Sequence, residues 1–178
     1  SDSFKSIRRT FNEIKKYKQI VRFLLARVVY NDAMITVIAF GGPYAYTQFG
    51  FDMDTNGKLM IFGIVLNVTA GIGAFIFGFM DDKLGGKITI QITLLFLICA
   101  GLLATFAQTK LLFWIAGIMV GIFSGPNQAA SRSLMGRFTP KSKENEFYGF
   151  FAFSGKMTAF IGPLFLGILT ETFNSQRA

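Results

Sequence analysis

The sequence predicts an all-α protein, a polytopic bundle of membrane-spanning helices. Three observations carry that prediction. Five apolar runs are each long enough to cross a bilayer. Apolar residues make up 52% of the 178-residue chain, with 22 Phe and a mean hydropathy of +0.47. The cations fall almost wholly on alternate connections between the runs. A water-soluble domain of this length needs more polar surface than 16% charged residues supply.

The remaining composition narrows the function classes. The net charge of +8 is read as membrane orientation rather than as a nucleic-acid footprint, because its distribution follows the spans. There is no histidine, and no Cys or carboxylate group has metal-ligand spacing, so neither a metal site nor a cofactor is expected. Cys99 is the single cysteine and reads as a small buried residue. No nucleophile–base set is present, so the chain is not read as an enzyme.

Residues 1–21 form the first unit. Phe4, Ile7, Phe11, Ile14, Tyr17 and Val21 recur at helical spacing, while Lys5, Arg8, Arg9, Lys15, Lys16 and Lys18 occupy the other face. This predicts a basic amphipathic helix lying on an anionic membrane surface. It is no signal peptide, because the apolar run behind it is too long and lacks a small-residue cleavage site. The chain starts with Ser1 rather than Met and is expected to begin inside a longer protein.

Residues 22–178 form the transmembrane unit. The first span covers about 22–46, with a bend or break expected at Pro43, and a polar loop follows over 47–58. The second covers about 59–80, where Ala70, Ala74 and Gly78 repeat every fourth residue and offer a smooth packing face. The third, about 88–107, is the most uniformly apolar and is expected to be the most lipid-exposed. The fourth, about 111–130, carries Gly117, Gly121 and Gly125 in two overlapping G-x-x-x-G units, with a kink expected at Pro126. A charged loop is expected over 131–145. The fifth span covers about 146–169, with Glu144 and Glu146 placed to complement its N-terminal dipole.

Charge sets the orientation. Residues 1–22, the 81–87 connection and the 131–145 connection hold nearly all the Lys and Arg, whereas the opposite side holds only Lys58, Lys110 and Arg177. By the positive-inside rule the N-terminus and both charged connections are cytoplasmic.

The 78–87 stretch, Gly-Phe-Met-Asp-Asp-Lys-Leu-Gly-Gly-Lys, packs charges and glycines between two apolar runs. Gly78, Asp82, Lys83, Gly85 and Lys87 match G-x-x-x-D-[RK]-x-G-x-[RK], and the stretch resembles the signature loop of the major facilitator superfamily. Three further blocks sharpen the resemblance: Tyr30-Asn31-Asp32 followed by Ala39-Phe40-Gly41-Gly42; Gln128 to Leu134; and Glu146 to Phe150 with Phe153-Ser154-Gly155-Lys156. Together they are similar to the branch of vacuolar amino-acid effluxers linked to autophagy and their bacterial relatives. The resemblance covers nearly the whole chain and implies the C-terminal half of a transporter, from the helix before the seventh span through the eleventh. Two departures stand out: Gly86 occupies a place where the superfamily often has Arg or Lys, and the twelfth span is missing. The resemblance also implies the N-terminal half of the same transporter and a small-molecule substrate as partners, beside the lipid bilayer. It implies a bacterial inner membrane or a vacuolar or other organelle membrane.

Asp32 and Lys156 are the candidate working residues. Each lies about ten residues into a span that starts from the cytoplasmic side, ~15 Å deep and near the midplane. A charge there costs ~2.5–3.5 kcal/mol even on the lenient insertion scale and needs a cavity or a partner. Equal depth and opposite sign predict an Asp32–Lys156 pair, with Asn31, Asn67, Gln128 and Ser154 as polar neighbours. Such a pair binds a substrate carboxylate through Lys156, or takes a proton on Asp32 and releases Lys156; the plainer alternative is a fixed ion pair between two spans. Asp82 and Arg132 are the candidate cytoplasmic latch, which in the resembled superfamily holds one conformation of the rocking cycle. Arg27, about a turn from the interface, is expected to snorkel. The function expected is part of a secondary transporter moving small polar solutes, amino acids among them, by alternating access with ion or proton coupling. The alternative is a non-transporting membrane subunit or an anchor for a partner protein.

Overall fold

The computed structural model describes residues 17–51 and 58–173. The amphipathic segment up to residue 16, the loop carrying Asp52, Asp54 and Gly57, and the C-terminal tail lie outside them. Among the described residues five long helices occur in the order α1 (Lys18–Phe49), α2 (Lys58–Leu84), α3 (Gly86–Phe106), α4 (Lys110–Phe138) and α5 (Glu144–Phe173), with a 3₁₀ turn at Lys141–Lys143 before α5. No strand occurs among the described residues. α1 to α4 are each long and apolar enough to cross a membrane. α5 has 30 residues, ~45 Å at the α-helical rise. Glu144 and Glu146 stand in its first turn, opposite the partial positive charge they were expected to meet.

The helices run further than the apolar stretches alone suggest. α1 continues through Pro43 to Phe49 instead of ending in a polar loop at 47. It stops where Gly50 takes φ 59° and ψ 48°, letting Gly50 N–H donate to Tyr46 O and Phe51 N–H to Ala45 O. Phe51 then folds into an aromatic cluster with Phe49, Phe62, Phe113 and Trp114. The 131–145 loop is largely helical too, because Ala130, Ser131, Leu134 and Met135 continue the buried stripe of α4 one turn further. The 81–87 loop shrinks most. Asp81, Asp82 and Lys83 belong to the last turn of α2, Lys87 to the first of α3, and only Gly85 lies between. Its φ of 86° is a conformation that side chains with a Cβ rarely adopt.

α4 is the central element, with α2 and α3 packed along it. The G-x-x-x-G row performs the role its spacing predicts. A Cβ on Gly117 would stand 2.5 Å from the Phe62 ring, one on Gly121 2.8 Å from Leu66 O, and one on Gly125 would strike the Ala70 carbonyl. α2 answers through Gly73, whose missing Cβ leaves room for the Ile122 carbonyl. That carbonyl is the one Pro126 cannot serve, since proline lacks the N–H that would bond four residues back. Pro126 is therefore carried inside a helix that runs on for twelve residues to Phe138, buried against its neighbours. Of the expected α2 face, Ala70 makes the close approach, whereas Gly78 has nothing within 4 Å of a Cβ position. α3 is less lipid-exposed than expected: 22% of its most apolar stretch is buried, against 11% in α1 and α2. Thr89, Thr93 and Ala100 turn into α4 and cause the difference.

α1 and α5 form the second packing unit. Their contacts advance together along both chains, from Arg27–Ser154 to Asn31–Thr158 to Asp32–Gly162, so the two helices run parallel. A cluster of Ile20, Met135, Phe147 and Phe151 fastens their starting ends to α4.

Candidate functional site

The seam between α1 and α5 gathers three of the expected polar residues. Asn31, 6% exposed, donates through Nδ2 to Thr158 Oγ1 at 2.7 Å. Asp32 Oδ1 accepts from the Gly162 backbone N–H at 2.7 Å. Ser154 Oγ accepts from Arg27 Nη1 at 2.9 Å and donates to Phe151 O. Gly162 is required for this approach, since a Cβ there would stand 2.9 Å from both carboxylate oxygens of Asp32.

The expected Asp32–Lys156 pair is not formed. Lys156 is exposed and lies between Ser154 and Thr158 in sequence, ~200° around the helix from each, so it leaves the seam that they face. The register of the two helices sets Asp32 against Gly162, six residues beyond Lys156, so the two charges differ in height as well as in azimuth. Arg27, expected to snorkel, is instead tied to α5. Its Nη1 also donates to Phe151 O at 3.0 Å, and its guanidinium lies 3.7 Å above the Phe151 ring. The signal for this residue was legible: Arg27 and Asn31 repeat at four residues on α1, as Ser154, Thr158 and Gly162 do on α5.

Asn67 and Gln128 stand apart from that seam. Both line a groove of about 280 Å³ between α2 and α4, together with Ile38 of α1, Gly121 and Ser124. Asn67, whose Nδ2 donates to Gly63 O, also lines a larger cleft of about 420 Å³. That cleft is bounded by Thr36 and Tyr44 of α1, Phe62 of α2, Thr105 of α3 and Gly117 of α4. The six residues expected around one centre are thus divided: Asn31, Asp32 and Ser154 in the seam, Asn67 and Gln128 in the groove, Lys156 on the open face of α5.

A second polar chain joins the two packing units. Tyr30 OH and Ser131 Oγ are 2.7 Å apart, Ser131 Oγ donates to Asn127 O, and Asn127 Nδ2 donates to Thr93 Oγ1 at 2.9 Å. It connects α1, α4 and α3 through side chains that the apolar pattern alone did not single out.

At the charged end, the Asp82–Arg132 latch is replaced by a neighbouring contact. Arg137 donates from Nη2 to Asp81 O at 3.3 Å and lies 3.7 Å from Asp81 Oδ2. Asp82, Lys83 and Lys87 are exposed, and so is Arg132, whose carbonyl accepts from Tyr148 OH at 3.4 Å. Asp81 points back towards the next helix: its Oδ1 would be 3.1 Å from a Cβ on Gly86. The same Cβ would meet Ala130 O at 3.0 Å. Any side chain at this place would press on Ala130 O and Leu134, so Gly86 keeps α3 close to α4.

A sequence model of the family described as "Vacuole effluxer Atg22 like" matches residues 1–178. The chain belongs to that family. It is 30% identical over 171 residues to the uncharacterized MFS-type transporter YxiO of Bacillus subtilis, covering 96% of this chain and 39% of that protein. It is 24% identical to autophagy-related protein 22 of Kluyveromyces lactis, covering 90% of this chain and 34% of that protein. Against autophagy-related protein 22-1 of Aspergillus fumigatus the identity is 27%, over 98% and 31% of the two chains. The chain spans less than half the length of these relatives. No solved structure matches. Membership in this Atg22-like family and the apolar helices together mark an integral, multi-pass membrane chain of a transporter family.

Proposed function

We propose that this chain supplies the C-terminal half-bundle of a secondary active transporter. In this reading it has five spans and a cytoplasmic N-terminus, preceded over residues 1–21 by a membrane-surface helix, and it works by alternating access against an N-terminal half. The solutes are small and polar, amino acids among them, and the movement is coupled to protons. The observation that carries the reading is the Asp32 carboxylate, held in an apolar helix pair by a single backbone N–H. A purely structural helix pair has no need of a charge that costs ~2.5–3.5 kcal/mol to insert, whereas a proton carrier needs one.

The polar groups divide by task. Asp32 takes the proton, and its protonation weakens the acceptor that Gly162 N–H faces, loosening α1 from α5. Asn67 and Gln128, with Ser124, line the groove in which the solute lies. Lys156, on the open face of α5, faces the N-terminal half. Gly85 and the Asp81–Arg137 contact form the cytoplasmic pivot beside which Asp82, Lys83, Lys87 and Arg132 meet the other half, and the open Gly78 belongs to that same face.

The test is amino-acid flux in proteoliposomes carrying the full-length protein, at two pH gradients, for wild type, Asp32→Asn and Lys156→Met. Asp32→Asn keeps an acceptor for Gly162 N–H and is expected to insert normally, while losing the dependence of flux on the proton gradient. Unchanged gradient dependence in that variant would remove Asp32 from the coupling role.

A further inference from the structure

We infer that Arg27 is the receptor for an oxyanion, docked side-on at the α1–α5 seam. A guanidinium carries five N–H donors, and here only those of Nη1 are used, on Phe151 O and Ser154 Oγ. The Nε and Nη2 edge, the pair that matches the two oxygens of a carboxylate or phosphate, has no protein acceptor among the described residues. Nor does any carboxylate among the described residues form an ion pair with Arg27: Asp32, one turn on, is engaged with Gly162 N–H.

The group is built in rather than loosely hanging. The Phe151 ring lies 3.7 Å beneath the guanidinium, and two hydrogen bonds fix its rotation. Gly155 lets it lie flat against α5, since a Cβ there would stand 3.2 Å from Nη1 and 3.3 Å from Nη2. A long side chain immobilised this way has met its ordering cost before any ligand arrives. A half-buried cation held in an apolar helix with no counter-ion is stabilised by a bound anion, and the free fork sets its shape. The chemistry is that of an oxyanion: a solute carboxylate, which on the transport reading above is the cargo's own, or the phosphate of an anionic lipid headgroup.

The test follows the side-chain Nε–H resonance of Arg27 in the ¹⁵N-arginine-labelled full-length protein, held in phosphate-free maltoside micelles or in nanodiscs. The resonance is assigned by its absence in Arg27→Lys and its displacement in Ser154→Ala. Four conditions are compared: maltoside micelles free of phospholipid, the same micelles with a mixture of L-amino acids, the same micelles with the matching amines that lack the carboxylate, and phosphatidylglycerol nanodiscs. The expected result is a displaced resonance whose exchange with water slows about threefold or more, the mass-action effect of a largely occupied site. An effect of amino acids but not of amines identifies a solute carboxylate; an effect in phosphatidylglycerol alone identifies the headgroup. An unchanged resonance in every arm overturns the inference. Because the readout is binding, an amino-acid effect without flux would leave the oxyanion site standing while removing the transport reading, and flux without any effect would do the opposite.

Discussion

The α2–α4 and α1–α5 interfaces join helices in the same chain by opposite means. Between α2 and α4 the contact is backbone on backbone at Gly73, Gly121 and Gly125, while Gly117 makes room for the Phe62 ring. Between α1 and α5 the contact is a ladder of hydrogen bonds: Arg27 to Ser154, Asn31 to Thr158, Asp32 to Gly162. In a bilayer, lipid tails are as apolar as leucine, so dispersion at close range and polar bonds are the two means of association available. The first gives a fit with one solution. The second gives bonds whose partners can be exchanged for water, a proton or a solute. On the transport reading proposed above, the three-helix unit around α4 is the fixed part and the α1–α5 pair the adjustable one.

Five substitutions break or sharpen this contrast, each read as a shift in unfolding of the purified protein in mild detergent. The largest effect is expected for Gly121→Leu, which drives a side chain into the Leu66 backbone and costs ~3 kcal/mol, the upper end for overpacking. A variant as stable as wild type would mean that α2 and α4 are not in backbone contact. Next comes Asn31→Leu, which removes one rung of the ladder; ~1 kcal/mol is expected, since interhelical bonds in membranes average below that and rarely exceed ~1.7 kcal/mol. A matched pair of glycines follows. Gly149→Ala, with open space around its Cβ, is expected to gain up to ~1 kcal/mol of helix propensity. Gly162→Ala is expected to lose that gain against the Asp32 carboxylate, and equal gains at both sites would count against the Asp32 contact. The smallest effect belongs to Arg137→Gln, below ~1 kcal/mol, because the pair with Asp81 is spread over 3.7 Å and Arg137 is half exposed.

Sequence pattern and structure agree where the physics is local. The apolar runs and the four-residue glycine period on α4 are properties of consecutive residues, and both reappear as helices and a close-packing face. The ends of the helices were harder to read. Asp81–Leu84 and Arg132–Phe138 are polar enough to resemble loops, yet they are helical turns projecting past the apolar layer. A bend or break is expected at Pro43 and a kink at Pro126, and the helix runs on through each, because a helix packed on its neighbours tolerates the missing hydrogen bond, as the Ile122 carbonyl beside Gly73 illustrates. The site was legible in its residue types and only partly in its pairing. Which residues face one another depends on the rotation of α5 about its own axis, and a two-residue offset was enough to take Lys156 out of the seam and leave Arg27 in it.

Gly85 separates α2 from α3 by a single residue, and this bears on how the chain is made. A connection that short cannot let one helix settle across the bilayer while its successor waits outside, because the second has almost no slack with which to find its place. α2 and α3 must enter as one hairpin, and the synthesis machinery has to hold both, some fifty residues of nascent chain, before either is released sideways into lipid. A reporter domain spliced in at Gly85 would therefore disturb membrane integration itself, whatever became of the folded protein afterwards.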